Sequence, residues 1–171
     1  DSAKLLYHTA SDILGFNLQD ISFNGPEDRL KETQFTQPAI FVHSIIVDKF
    51  LKEKDIKPNA VAGHSLGELT ALVSADVLSF EDALKIVKVR STEMANTGKQ
   101  SPGTMAAILG ADDKQLKIIC KQDGIVVPAN LNAPGQIVIS GEISAIENAI
   151  ITAKNIGVRR ALPLNVSGAF H

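Results

Sequence analysis

Apolar residues recur at helical spacing in three segments of the first hundred residues. Residues 2–15 place them three and four positions apart, which predicts an amphipathic helix. Residues 36–51 predict a second helix with Pro38 in its first turn and apolar side chains on nearly all sides, so we expect it at the centre of the fold. Residues 79–96 predict a third helix with one buried stripe.

The pattern changes at residues 98–103, where turn-forming residues cluster. The segments that follow are predicted as strand 105–109, helix 112–122, strand 125–131, strand 136–140, helix 144–155 and strand 158–166. This βαββαβ order is that of ferredoxin-like folds. The sequence therefore predicts an α/β protein in which a ferredoxin-like subdomain, residues 101–167, is inserted into a larger α/β subdomain that includes residues 1–100.

One short stretch suggests a nucleophile. An apolar run at residues 60–62 breaks at Ser65, which stands between Gly63 and Gly67, and a helical pattern follows. In such a Gly-x-Ser-x-Gly elbow a sharp turn between strand and helix exposes the serine hydroxyl, and glycines avoid a collision across the turn. The Leu66 amide could then donate to an oxyanion. An ordinary glycine turn is the alternative.

Composition excludes several classes of protein. With 171 residues, 44% of them hydrophobic, and a net charge of −2, the chain can bury a core and is not expected to bind nucleic acid. No apolar run has membrane-spanning length. The single Cys120 excludes an internal disulfide, fits a reducing compartment and is predicted to be a packing residue. Four scattered histidines show no metal-ligand spacing, so we expect no metal.

Arg90 lies in the apolar stripe of the helix predicted over residues 79–96. An arginine on an inward face needs a carboxylate partner, since an unpaired buried charge is costly. The partner could belong to the protein, or the side chain could extend outward to Glu93. Alternatively, the guanidinium could bind a substrate carboxylate through two parallel hydrogen bonds. The sequence alone favours neither interpretation.

A nucleophilic serine also needs a base, and His171 is the candidate that remains by elimination. His8 lies on a distal helix, His43 is expected as a hydrogen-bonded histidine of the core or a groove, and His64 adjoins Ser65 too closely to reach its hydroxyl. No acidic residue stands in a triad context, so a Ser–His pair is favoured over a triad. A disordered terminal residue is the alternative for His171.

Several motifs, in order and spread along the whole chain, resemble those of the malonyl-CoA:acyl-carrier-protein transacylase family. They are Thr36-Gln37-Pro38-Ala39, Gly63-His64-Ser65-Leu66-Gly67-Glu68, Arg90, the Gly103–Gly110 segment, the Asn130–Gly141 segment and Ser167-Gly168-Ala169-Phe170-His171. The resemblance implies an α/β-hydrolase-like fold for the larger subdomain. It also implies that residues 168–171 return to the active site.

The resemblance implies a role for each candidate residue. Ser65 would be the acylated nucleophile and His171 its general base and acid. Arg90 would bind the malonyl carboxylate, and the Leu66 N–H would be one oxyanion donor. The implied reaction is ping-pong transfer of malonyl from malonyl-CoA to the phosphopantetheine thiol of acyl-carrier protein in fatty acid biosynthesis, without a cofactor. We expect a cytoplasmic monomer.

A set of basic side chains is a candidate surface for an acidic carrier protein, with a solvated face as the alternative: Lys114, Lys117, Lys121, Arg159 and Arg160. Members of the resembled family begin with a strand and a Gly-Gln-Gly-Ser-Gln-like loop, and they continue beyond the histidine. We therefore expect this chain to be part of a transacylase, inactive or poorly folded alone. An acyltransferase domain of a polyketide synthase, a serine esterase and a noncatalytic interaction module are the alternatives.

Overall fold

The computed structural model describes residues 2–166 and 168–171, and it divides the chain into two compact units, Asp1–Glu93 and Met94–His171. The division falls inside a helix, a few residues before the turn cluster at 98–103. The predicted boundary between residues 167 and 168 falls at Ser167, which lies outside the described residues. The subdomain limits stated above stay a prediction.

The first unit is helical in the residues described. Its elements, the last of which continues into the second unit, are α1 Ser2–Leu14, α2 Leu18–Asn24, α3 Glu27–Leu30, α4 Thr33–Lys52, α5 Gly67–Ser74 and α6 Phe80–Gln100. Helix α1 ends where predicted, with Gly15 in the left-handed region at φ +84°. Helix α6 matches its predicted start within one residue.

Helix α4 corrects two expectations. It begins three residues earlier than predicted, so Pro38 lies in its second turn, and the Thr36 hydroxyl donates to the Leu30 carbonyl before it. Part of its apolar surface is also exposed to solvent, since Ile40 is 52% and Phe50 56% exposed. In the described chain only one side of α4 packs on neighbouring helices. The prediction that α4 lies at the centre of the fold, with all sides buried, is therefore wrong.

The core of the first unit joins α1, α4 and α6. Its fully buried residues include Ala10, Phe41, Ile45, Leu84 and Val87, and the Phe41 ring stacks on Phe80 with centroids 5.8 Å apart. Each large side chain buried in this way contributes about 1.5–3 kcal/mol. This packing fixes α4 against α6, the two helices that carry Gln37 and Arg90.

The second unit contains a four-stranded antiparallel sheet. Strands β1 Thr104–Leu109, β2 Val126–Ala133, β3 Gln136–Gly141 and β4 Arg160–Pro163 occur in the spatial order β2-β3-β1-β4. Helices α7 Asp113–Ile119 and α8 Ile143–Asn155 separate β1 from β2 and β3 from β4. The predicted βαββαβ order is thus observed, although β4 is shorter than the predicted strand.

Alternation along the strands places one face of the sheet against the helices. Ile108 of β1 and Ile139 of β3 share a buried cluster with Ile119 of α7 and Ile146 of α8. Cys120 packs against this cluster, and burial raises the pKa of its thiol, as expected of a packing residue. The chain is therefore a mixed α/β protein with a small antiparallel sheet. Among the described helices, none is both long enough and apolar enough to span a membrane.

Candidate functional site

The segment before Ser65 differs from the predicted strand. Residues 60–62 form no strand and are exposed. A strand requires a neighbouring strand for its backbone hydrogen bonds, and the described residues of the first unit contain none. The predicted sequence of strand, turn and helix is therefore wrong in its first part, and the apolar run did not identify a paired strand.

The turn itself has the geometry of an elbow. Ser65 adopts φ +54°, in the left-handed region that residues other than glycine rarely occupy. A Cβ added at Gly63 would lie 1.9 Å from the carbonyl carbon of Gly67 and 2.2 Å from the amide nitrogen of Glu68. Gly63 is thus required by a close backbone approach. A Cβ added at Gly67 would meet nothing within 4 Å, so the prediction that both glycines leave room holds only for Gly63.

The residue after the serine anchors the turn. The Leu66 side chain is buried in the core of the first unit, next to α4 and α6. Its backbone N–H directly precedes α5, and within the described part of the chain it donates no hydrogen bond, whereas Gly67 N–H donates to His64 O at 2.9 Å. The Leu66 amide therefore has no acceptor among the described residues, and its role as an oxyanion donor stays a prediction.

The far end of α5 is fixed to α4 by a polar cluster. Lys52 Nζ lies 3.0 Å from Asp48 Oδ2 and donates to the Ser74 carbonyl at 2.8 Å. Ser74 Oγ donates to Asp48 Oδ1 at 2.5 Å. These partly buried contacts hold the elbow helix at its C-terminal end, while Leu66 holds it at the other.

Arg90 reaches the serine. Its Nη2 donates to Ser65 Oγ at 2.9 Å, and its Nη1 donates to Oε1 of Gln37. Among the described residues Arg90 forms no ion pair, neither with Glu93 nor with another carboxylate. The structure thus gives Arg90 neutral partners inside the protein, which removes the interpretation of a buried ion pair within the described chain.

The electrostatics of Arg90 follow from this position. The residue is half-buried, and burial lowers the pKa of its guanidinium. The Glu68 carboxylate, on the first turn of α5, opposes that effect and raises the pKa. Arginine stays charged in proteins, so a positive charge that no ion pair among the described residues neutralises lies beside the Ser65 hydroxyl. Such a site favours an anionic ligand.

Sequence reasoning missed one residue of this arrangement. Gln37 belongs to a quoted motif, but no role was assigned to it. It is only 7% exposed, and it contacts Arg90 across 53 positions of sequence. The available signal was a polar residue in an otherwise apolar helix segment, next to Pro38. If such an amide is buried, it needs a hydrogen-bond partner, and that partner could have been sought among the other candidate residues.

The structure also shows where the histidines considered as bases lie, and each of them is exposed. His43 is exposed on α4 and lines a surface cavity of about 310 Å³ with Tyr7 and Phe23, so it is a groove residue and not a core residue. His64 is exposed beside Ser65. His171 is exposed at the end of the second unit and is described with that unit. No group of three or more potential metal ligands occurs among residues 2–166 and 168–171.

The loop that carries His171 packs closely within the second unit. A Cβ added at Gly103 would lie 2.6 Å from the Ala169 Cβ and 2.8 Å from the Gly141 carbonyl oxygen. Gly168 is buried, and a Cβ there would approach the Phe170 ring to 3.1 Å. Residues 168–170 therefore pack against the start of β1, and this close packing requires glycine at position 103.

A Gly103→Ala variant should displace this loop and destabilise the protein. The added methyl group overlaps both a side chain and a backbone oxygen, and overpacking of this kind costs about 1–3 kcal/mol. Thermal unfolding of the full-length protein should show a lower Tm. The double variant Gly103→Ala with Ala169→Gly removes the nearer overlap and should recover part of the lost Tm. A Tm that does not recover would contradict the described packing of Ala169 on Gly103.

A strained serine, an adjacent amide and a charged arginine on a mixed α/β scaffold define a class of protein that can transfer or hydrolyse acyl groups. The chain belongs to the acyl transferase domain family, whose pattern matches residues 6–171. The resemblance drawn from the motifs is confirmed.

The proteins and solved structures to which this chain is similar are named as malonyl transacylases. A malonyl CoA-acyl carrier protein transacylase of Staphylococcus aureus is 43% identical over 175 residues, covering 100% of this chain and 56% of that protein. The crystal structure of a malonyl-CoA:acyl carrier protein transacylase from Xanthomonas oryzae has a TM-score of 0.92 at 38% identity, covering 98% of this chain and 55% of that one. A malonyl-transacylase in complex with a type II polyketide acyl-carrier protein has a TM-score of 0.91 at 40% identity, with 98% and 55% covered. The chain thus spans little more than half the length of these relatives.

Proposed function

We propose that the protein carrying this chain transfers a malonyl group from malonyl-CoA to the phosphopantetheine thiol of acyl-carrier protein, through a malonyl ester of Ser65. The relatives named malonyl CoA-acyl carrier protein transacylase support this activity. The observation that carries the proposal is the 2.9 Å contact between Arg90 Nη2 and Ser65 Oγ, at a guanidinium without an ion-pair partner in the described chain. A guanidinium beside the nucleophile can bind the carboxylate of a short acyl chain attached to that oxygen.

The proposed reaction has two half-reactions. His171 accepts the Ser65 proton while Oγ forms a bond to the thioester carbonyl carbon, and the Leu66 N–H donates to the resulting oxyanion. The carbon–sulfur bond then breaks, and His171 returns the proton to the sulfur of CoA. In the second half-reaction the carrier thiol attacks the malonyl ester, and the same proton transfers restore the serine. Arg90 holds the malonyl carboxylate throughout.

Trapping the intermediate tests the proposal. Brief incubation of the full-length protein with malonyl-CoA, without carrier, should add one malonyl group to the peptide that contains Ser65, as observed by mass spectrometry. Subsequent addition of phosphopantetheinylated carrier protein should remove it and yield malonyl-carrier. Rapid hydrolysis of neutral esters, together with no labelling by malonyl-CoA, would favour a serine esterase instead.

An Arg90→Ala variant should lose malonyl transfer selectively. Removing one partner of a desolvated charge pair costs about 2–5 kcal/mol, so kcat/KM for malonyl-CoA should fall by at least about 30-fold. Acetyl-CoA has no carboxylate to pair and should be tolerated. Steady-state transfer from both thioesters measures the difference.

Lys88→Ala is the matched control for that variant. It removes an equal charge from the same helix, at an exposed position whose ammonium bonds to the Ile13 carbonyl. Selectivity for malonyl over acetyl should stay as in the wild type. Equal losses of malonyl and acetyl transfer in Arg90→Ala would remove the assigned role.

The same proposal extends to the finer fold and the partners. Residues 101–167 are assigned to a ferredoxin-like subdomain, which the βαββαβ order and the strand order β2-β3-β1-β4 support. Residues 1–100 are assigned to part of an α/β-hydrolase-like subdomain, on the resemblance of their motifs alone. Carrier binding by Lys114, Lys117, Lys121, Arg159 and Arg160, a cytoplasmic location and a reaction without a cofactor remain predictions. A polyketide carrier is the second candidate acceptor, since one of the similar structures contains such a carrier. Transfer rates to both carrier types distinguish the two.

A further inference from the structure

Gln37 is the buried neighbour of the candidate acid-binding residue. It lies on α4 with 7% of its surface exposed, and its Oε1 accepts a hydrogen bond from Arg90 Nη1. The other terminal nitrogen of the same guanidinium donates to Ser65 Oγ. Because the guanidinium is planar and rigid, these two hydrogen bonds determine the orientation of its plane beside the hydroxyl.

The chemical type of the side chain at position 37 determines the charge of the site. An amide oxygen accepts a hydrogen bond but carries no net charge, so it orients Arg90 without neutralising it. A carboxylate in the same place would form an internal ion pair with the guanidinium. Glu68 does act electrostatically on Arg90, but it forms no ion pair with it, and no other carboxylate of the described chain does so.

We propose that Gln37 is a positioning and specificity-determining residue, which holds Arg90 beside Ser65 while leaving its positive charge available for the carboxylate of the acyl substrate. This inference rests on the proposed malonyl transfer. It assigns Gln37 no contact with the reacting atoms, since Gln37 acts through Arg90. An amide at position 37 is then a requirement for acid selectivity, in addition to the arginine itself.

The nearly isosteric variant Gln37→Glu tests the charge argument in the full-length protein. Its carboxylate should occupy Arg90, so KM for malonyl-CoA should rise by about tenfold or more, while kcat/KM for acetyl-CoA should stay within about twofold of the wild type. A second variant, Gln37→Met, keeps a similar volume but removes the acceptor. It leaves Arg90 charged but no longer oriented, so it should raise KM for malonyl-CoA by less than Gln37→Glu does.

Ser91→Ala is the matched control. Ser91 follows Arg90 on α6, is 2% exposed and donates to the Lys88 carbonyl, so the variant changes a buried polar residue of the same helix without contact to the guanidinium. Its ratio of malonyl to acetyl kcat/KM should equal that of the wild type. This ratio does not depend on the fraction of folded enzyme, so it remains informative if a variant is less stable.

The possible outcomes separate the two proposals. A wild-type protein that transfers no malonyl group would overturn the proposed function. A wild type that transfers malonyl, with a Gln37→Glu variant that keeps the wild-type ratio of malonyl to acetyl transfer, would overturn the role of Gln37 alone. A loss shared equally by both substrates in Gln37→Glu would indicate a merely structural glutamine and would also overturn it.

Discussion

Ser65→Ala is expected to reduce malonyl transfer to carrier protein by at least about 10³-fold, since removal of a nucleophile from a unit of cooperating residues has effects of this size or larger. Alanine keeps the Cβ and the backbone preferences of the turn while removing the attacking oxygen. It also removes the acceptor of the Arg90 Nη2 hydrogen bond. Intact mass after incubation with malonyl-CoA should show no adduct, and steady-state transfer should fall to the background rate.

Ser44→Ala is a suitable control for this result. Ser44 is on α4, and its hydroxyl donates to the Ile40 carbonyl one turn earlier in the same helix. Its removal should leave adduct formation and transfer rates within about twofold of the wild type, as for most surface substitutions. A malonyl adduct that persists in Ser65→Ala would place the nucleophile elsewhere.

Gly63→Ala is expected to disrupt the elbow itself. The added Cβ would lie 1.9 Å and 2.0 Å from the carbonyl carbon and oxygen of Gly67, and these are backbone atoms that no side-chain rotation can move. The turn must therefore open, at a cost of about 3 kcal/mol by comparison with other overpacked sites. Thermal unfolding should show a Tm lower by roughly 5–10 °C, with loss of adduct formation.

Gly67→Ala provides the contrasting result, although both glycines belong to the same motif. The added methyl group meets open space, and the position lies in the first turn of α5. Alanine favours a helix over glycine by up to about 1 kcal/mol, so the Tm should be unchanged or slightly higher. A Tm loss equal to that of Gly63→Ala would contradict the described geometry of the turn.

Local patterns predicted the second unit well. Alternating apolar residues and short turns indicated each strand and helix from Thr104 to Pro163, because the sheet and its two helices are close in sequence and bury one clear face. The capping box at Asp112 and Gln115, which fixes the start of α7, follows the same local logic. Such short-range information is present in a single sequence.

The first unit shows where that information ends. Residues 60–62 have the composition of a strand, but strand formation depends on a partner that composition does not reveal. The apolar surface of α4 gave no indication of which side would be covered. Gln37 was missed for a similar reason, since its partner Arg90 is distant in sequence and joins it only when α4 packs on α6.

The positive φ of Ser65 also limits which hydroxyl-bearing residue can occupy this turn. A residue with a Cβ in the left-handed region is less stable there than glycine by about 1–2 kcal/mol, and branching at Cβ makes the conformation still less accessible. Threonine offers the same hydroxyl but adds a methyl group at the crowded carbon. Backbone sterics, rather than the reactivity of the oxygen, therefore restrict this position to a primary alcohol.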